Sequence, residues 1–235
     1  MGSGPDFAEA DRLAATRFAA EMARAKVERI VYLGGLGEEG AALSPHLASR
    51  REVETVLRRG PVPVTTLRAA IIVGAGGASF EMVVQLVEKL PVMICPRWVV
   101  TPCQPIALEE LLRYLVGCAD RPQVLGKTFD VGGPDILTYR AMMERVGDRI
   151  GRRPRLVVVP VLTPSLSSHW VGFITRVPSS IARPLVEGMR NPVVCRDDRI
   201  VRLMPGPRIG FDAALEQALH DRTPGVRRFV PARRP

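Results

Sequence analysis

Two glycine-rich runs carry the residue types best suited to approach a bound anion. Gly35-Leu36-Gly37-Glu38-Glu39-Gly40 has the spacing G-x-G-x-x-G, between an apolar run and a helical pattern. Glycines at that spacing let backbone N–H groups close on a pyrophosphate at a helix N-terminus. Against that chemistry, Glu38 and Glu39 would face the phosphate charge, and Pro45 rather than the third glycine opens the helix. Gly74-Ala75-Gly76-Gly77-Ala78-Ser79 is the second run, either a cofactor contact or a turn that needs positive φ. His169-Trp170 reads as one wall of a cleft. Cys95, Cys103, Cys118 and Cys195 are far apart and lack CxxC pairing, so they read as reduced, inert thiols of a cytoplasmic protein. No HExxH, GxSxG or metal-spaced carboxylate set occurs, and metal or hydrolase chemistry has no support.

The elements that must position these runs alternate. Phe7–Lys26 predicts an amphipathic helix capped by Asp6, with Phe7, Ala10, Ala14, Phe18 and Met22 on one stripe. Val27–Leu33 predicts a buried strand ending at Gly34-Gly35, and Pro45–Arg59 a helix capped by Ser44. Val62–Val73 predicts one strand, Ser79–Leu90 a helix, Val92–Cys95 a short strand and Leu108–Cys118 a helix. Thr128–Val131 predicts a strand and Thr138–Ile150 a helix with Thr138 as its cap. That rhythm predicts an α/β fold, a parallel sheet with helices on both faces. Beyond Gly151, a strand at Leu156–Val161, Pro-rich turns and a helix at Asp212–Leu219 predict a small, mostly helical lobe. The expected units are residues 1–150, 151–221 and a basic tail, 222–235.

The chain has 235 residues, 46% of them hydrophobic and 24% charged, enough to bury a core. No apolar stretch reaches the ~18 residues of a membrane span. The net charge of +9 is uneven: residues 1–150 hold 18 basic and 18 acidic side chains, and residues 151–235 hold 15 and 6. Five of the excess cations are Arg222, Arg227, Arg228, Arg233 and Arg234 in the tail. A basic tail could touch nucleic acid or an anionic surface. With aromatics at 5% and no basic-aromatic module, nucleic acid is not the expected partner. Only 3 of the 33 basic residues are lysine, which points to a GC-rich bacterial genome.

The order of segments resembles a known superfamily. Tyr32–Gly35 (YLGG), Ser44–Arg50 (SPHLASR), Thr65–Gly74 (TTLRAAIIVG), Gln104–Leu115 (QPIALEELLRYL) and Phe129–Met143 (FDVGGPDILTYRAMM) together resemble the atypical, extended short-chain dehydrogenase/reductases, in the NmrA-like or epimerase-like branch. The resemblance implies a Rossmann-like sheet, partial here, with a C-terminal substrate lobe and NAD or NADP at the carboxyl edge. It implies cofactor contacts at Gly34, Gly35, Gly37, Arg50, Arg68, Ala69 and Gly74, and substrate contacts at Arg97, Trp98 and His169. The family's Tyr-x-x-x-Lys pair falls on His46 and Arg50, and its Ser or Thr on Gly34 or Gly35. His46 keeps acid/base capacity, whereas Arg50 is a permanent cation. The resemblance further implies that the chain starts near the family's fourth strand, so that the first βαβ half and its phosphate loop are missing. The expected role is an NAD(P)-binding oxidoreductase or epimerase-like protein of unknown substrate, with weakened or no activity. A non-enzymatic redox sensor or assembly factor is the alternative. An exposed sheet edge would then invite self-association.

Overall fold

A computed structural model describes residues 7–37, 43–159 and 188–222 of the chain. Helix α1 (Phe7–Arg24) ends where Lys26 takes a left-handed φ of 53°, which turns the chain into strand β1 (Ile30–Gly35). Asp6, the expected cap of α1, lies outside the described residues. Helix α2 (Pro45–Arg58) starts at Ser44, whose Oγ accepts from Leu47 N at 3.3 Å, with Pro45 in the first turn. Strand β2 (Val64–Ala69) runs parallel to β1 in the register Ile30↔Val64 to Gly35↔Ala69. On its other side β2 pairs in parallel with β7 (Thr128–Val131). The sheet order is β1-β2-β7.

Strand alternation distributes this sheet's residues to two helical layers. Ile30 and Val64 pack with Ala15 of α1 and with Val53 and Leu57 of α2. Leu67, Ala69, Phe129 and Val131 pack on the opposite face with Leu111, Tyr114 and Cys118 of α4 (Leu108–Asp120). Ile200 and Met204 join them from α6 (Arg199–Leu203) and the residue after it. Two expectations change here. Gly34 and Gly35 do not follow β1 but form its last two positions, paired with Arg68 and Ala69. The single strand expected over Val62–Val73 is two: β2 stops at Ala69, and β3 (Ile72–Val73) pairs instead with β6 (Ile106–Ala107). The partners impose the break, since β1 and β7 both run out opposite Ala69.

The second core joins β3 to helix α3 (Ala78–Lys89), strand β4 (Val92–Pro96), helix α5 (Tyr139–Arg149) and helix α7 (Phe211–Asp221). Thr138 caps α5 as expected, accepting from Ala141 N at 3.0 Å. Met189, Val193, Phe211, Ala214, Leu215 and Ala218 share this core with residues 71–146. Strand β9 (Arg155–Val159) pairs in parallel with β4. The ribbon of β5 (Pro102–Cys103) and β8 (Leu137–Thr138) is antiparallel.

The segment around Phe129–Asp135 is a four-way joint. Gln104 donates from Nε2 to Gly133 O at 2.8 Å, and its Oε1 accepts from Cys195 N at 2.9 Å. Gly133 N donates to Pro105 O at 2.8 Å, and a Cβ on Gly133 would stand 2.7 Å from that oxygen. Asp135 Oδ2 accepts from Phe211 N at 2.7 Å, closing the open start of α7. Glu110, fully buried, holds Arg208 Nε at 2.8 Å, Ile209 N at 3.0 Å and the Tyr114 hydroxyl at 3.2 Å. Two substitutions test this joint by urea denaturation. Gly133→Ala should lower stability by about 2 kcal/mol through overpacking against backbone. Glu110→Ala should lower it by about 3 kcal/mol by stranding Arg208 and Ile209 N. An unchanged midpoint in either variant would remove the joint as a stabilising feature.

Candidate functional site

In a parallel α/β sheet the carboxyl ends of the strands are where a cleft can open, because the loops above them diverge. Leu36 N donates to Ala69 O at 2.9 Å just past the end of β1, and the two chains separate beyond it. A cleft of about 260 Å³ lies there. Its floor is apolar and largely backbone: Leu33, Gly34, Gly35 and Leu36 on one side, Ala69 to Ile72 on the other. Its polar wall is His46 and Arg50, one turn apart on α2 and therefore on the same face. Ser79 from the start of α3, Tyr139 from α5, and Gly188, Met189 and Val193 complete it.

The electrostatics of this wall are lopsided. Arg50 Nη2 is bound to Asp11 Oδ2 of α1 at 2.5 Å, and Ser49 Oγ donates to the same oxygen at 2.8 Å. Arg50 Nε is buried and has no hydrogen-bond partner among the described residues. Burial and then the neighbouring Arg50 push the His46 pKa below its usual 6.5, only partly opposed by Asp11. Both causes favour the neutral form of the His46 ring. Burial raises the Tyr139 phenol well above its ordinary range, with Cys103 adding to the shift. Tyr139 also meets Trp98 edge-on, with ring centroids 6.1 Å apart.

The structure gathers Gly34, Gly35, His46, Arg50 and Ala69 at this cleft and leaves the other candidates elsewhere. Gly37 packs under Leu43 and Leu47. Arg68 faces α2, where its Nε meets Glu54 Oε2 at 3.0 Å. Gly74 is pressed against Leu108, which a Cβ would meet at 2.7 Å. Arg97 is exposed at the start of a short turn, Arg97–Val100, and Trp98 is half-buried on Tyr139. His169, Glu38, Glu39 and Gly40 lie outside the described residues, as do four of the five tail arginines. Arg222, the fifth, is neutralised within the fold by Glu81 at 3.0 Å and Glu88 at 2.9 Å. Burial pushes Cys95, Cys103 and Cys118 up to about 11 and Cys195 up to about 12, which fits inert thiols. No group of three or more His, Cys, Asp or Glu able to hold a metal occurs among the described residues. Nor is any described helix long and apolar enough to cross a membrane. Asp11 was not legible as a site residue, being 39 positions from Arg50. Ser79 had a signal, since it ends the second glycine run.

The glycine pair has a steric consequence. A Cβ on Gly35 would stand 2.8 Å from Leu47 Cδ2, and one on Gly34 would stand 3.1 Å from Tyr32 Cε1. A hydroxyl-bearing side chain at position 35 therefore requires Leu47 to move. Of the two α2 residues in the polar wall, only His46 can exchange a proton, because Arg50 cannot release one.

Comparison with known proteins sets the fold. No protein-family model matches the chain. One curated relative is subunit 9 of the NADH dehydrogenase [ubiquinone] 1 alpha subcomplex, mitochondrial, of Arabidopsis thaliana, 22% identical over 162 residues. The match takes in 68% of this chain but only 40% of the plant protein's length. Among solved structures, the Citrobacter sp. triphenylmethane reductase complexed with NADP(H) is 15% identical, with a TM-score of 0.68 over 92% of this chain and 74% of that one. The NADPH-dependent quinone oxidoreductase of Escherichia coli gives 14% and 0.67, over 88% and 70%. A nucleoside-diphosphate-sugar epimerase of Staphylococcus aureus gives 11% and 0.67, over 86% and 69%. At such identities the likeness is one of fold, and the fold is partial Rossmann-like.

The chain has three histidines, so the state of His46 is open to direct measurement by NMR titration. Its midpoint should fall below 6.5. Because the folded state holds this pKa down, the unfolded chain takes up the proton first. The associated stability is complete above pH 6.5 and is lost as the pH falls from there through the folded-state value. His46→Gln should flatten the melting-temperature profile in that window. A midpoint at or above 6.5 would show that burial and Arg50 do not control the ring.

Proposed function

We propose that the cleft between β1, β2 and α2 holds the nicotinamide-riboside end of NAD or NADP, in an oxidoreductase- or epimerase-like protein of the atypical short-chain dehydrogenase type. The observation that carries this reading is the buried, unpartnered Nε of Arg50 in a polar wall over a backbone floor, at the carboxyl ends of two parallel strands. The volume agrees with one end of the cofactor only. About 260 Å³ is below the range of roughly 300–1,000 Å³ typical of clefts for whole ligands.

Arg50 would bind a ribose or phosphate oxygen through Nε while Asp11 fixes the rest of its guanidinium. Neutral His46 would accept or return a proton at a substrate oxygen beside it. Leu33, Leu36 and Ala69 to Ile72 would exclude water from the floor. A nicotinamide cofactor supplies hydride transfer when bound. The second reading is a non-enzymatic NmrA-like sensor or assembly factor, and the closed position at Gly35 favours it, since a side chain there would collide with Leu47. Nucleic-acid or anionic-surface binding by the tail rests on arginines outside the described residues. Self-association through the outer edge of β1 is part of either main reading, because no strand covers that edge among the described residues.

The deciding measurement is the melting temperature with and without millimolar NAD(H) and NADP(H), since a ligand of the folded state must raise it. The expected result is a rise with one of them, abolished by Arg50→Ala. A cooperative transition that none of them moves would overturn cofactor binding. A rise without turnover of any carbonyl or quinone would decide for the sensor.

A further inference from the structure

A second, larger cleft of about 580 Å³ lies across α2 from the first. Arg50 belongs to one cleft and Arg51 to the other, as successive helical positions point about 100° apart. The second cleft is lined by Arg51 and Arg58 of α2, Arg68 of β2, Lys127 before β7, and Arg199 of α6. Thr55 and Thr128 add hydroxyls, and Gly126 turns the chain at a φ of 70° so that Lys127 reaches the rim.

The cations are held in place. Arg68 forks onto Glu54 with Nε at 3.0 Å and Nη2 at 3.1 Å, and Glu54 is buried. Arg58 donates to Thr128 Oγ1 at 2.8 Å and to Gly126 O at 3.1 Å. Arg199 donates to Thr128 O at 3.0 Å while paired with Asp197. Arg51 donates to Gly37 O at 2.6 Å, and its Nη1 is buried without a hydrogen bond, 3.6 Å from Glu54. Lys127 has no ion-pair partner among the described residues. Against five cations stand Glu54 in the lining, with Asp197 and Asp130 beside Arg199. Four of the five come from residues 1–150, where basic and acidic side chains balance at 18 each. The excess is therefore a local arrangement and not a reflection of composition.

We propose that this cleft is a binding site for a small phosphate-bearing anion, with a diphosphate group as its recognised chemistry. Rigid arginine forks suit phosphoryl oxygens, and a single carboxylate ligand would leave most of the positive charge uncompensated. The volume suits a mononucleotide or sugar diphosphate as well as pyrophosphate itself.

Lysine footprinting on the intact wild-type chain tests this, because its only lysines are Lys26, Lys89 and Lys127. At constant ionic strength, inorganic pyrophosphate should slow acylation of Lys127 several-fold and leave Lys26 and Lys89 unchanged. A nucleoside diphosphate that protects at lower concentration identifies an organic diphosphate; equal protection identifies pyrophosphate. In parallel, pyrophosphate should raise the wild-type melting temperature, and the double variant Lys127→Gln, Arg58→Gln should lose that rise. No protection, equal slowing at all three lysines, or an undiminished rise in the variant would overturn the site. Stronger protection by a short single-stranded oligonucleotide than by either diphosphate would overturn it in favour of nucleic acid.

Discussion

The parallel pairing of β1 and β2 is the constraint from which the rest of this molecule follows. Parallel neighbours send both of their connections out at the same edge, so each needs a crossover back across a sheet face. Here α2 is that crossover, and its entry fixes where Arg50 and His46 lie. Ser44 and Pro45 set the first turn of α2 directly above the carboxyl end of β1. His46, one position on, must then overhang the point where β1 and β2 diverge. The cleft is a product of topology before it is a product of any side chain.

The same pairing explains the two glycines at the end of β1. Because Gly34 and Gly35 are in register with Arg68 and Ala69, they are sheet residues and not a flexible loop. Their lack of side chains lets α2 sit close, with Leu47 in the space a Cβ would claim. That close approach gives a tight floor but removes the place for a hydroxyl beside the helix. Packing and proton chemistry compete for one small volume, and in this chain packing holds it.

Much of the fold was legible because its signals are local. Ser44 and Thr138 announce helix starts through their own side chains, and both caps form. The apolar spacing in α3 places Phe80, Val83, Val84 and Val87 inward, and all are buried. What the sequence hid was non-local. The break after Ala69 depends on where β1 and β7 end, and nothing in VTTLRAAIIV marks it. Arg50 reads as a free cation until α1 brings Asp11 to it, and Arg222 reads as tail until Glu81 and Glu88 of α3 claim it. The segment FDVGGPD gave no local sign of its contacts, which run to Gln104, Pro105 and Phe211, all distant in sequence.

Helix α2 shows how one element can serve two surfaces without mixing them. Its apolar stripe, Val53 and Leu57, is buried against β1 and β2 and fixes its rotation. Once that rotation is set, Arg50 is committed to the edge near Asp11, and Arg51 to the face near Glu54. The two arginines differ by what they meet. One is neutralised by a single carboxylate and retains a buried donor over a small cleft. The other joins a group of cations around Glu54, which pairs with Arg51 and Arg68 together. Rotating α2 by one residue to serve either cleft better would expose Leu57 or bury a charge. The helix core thus sets which arginine lines which cleft.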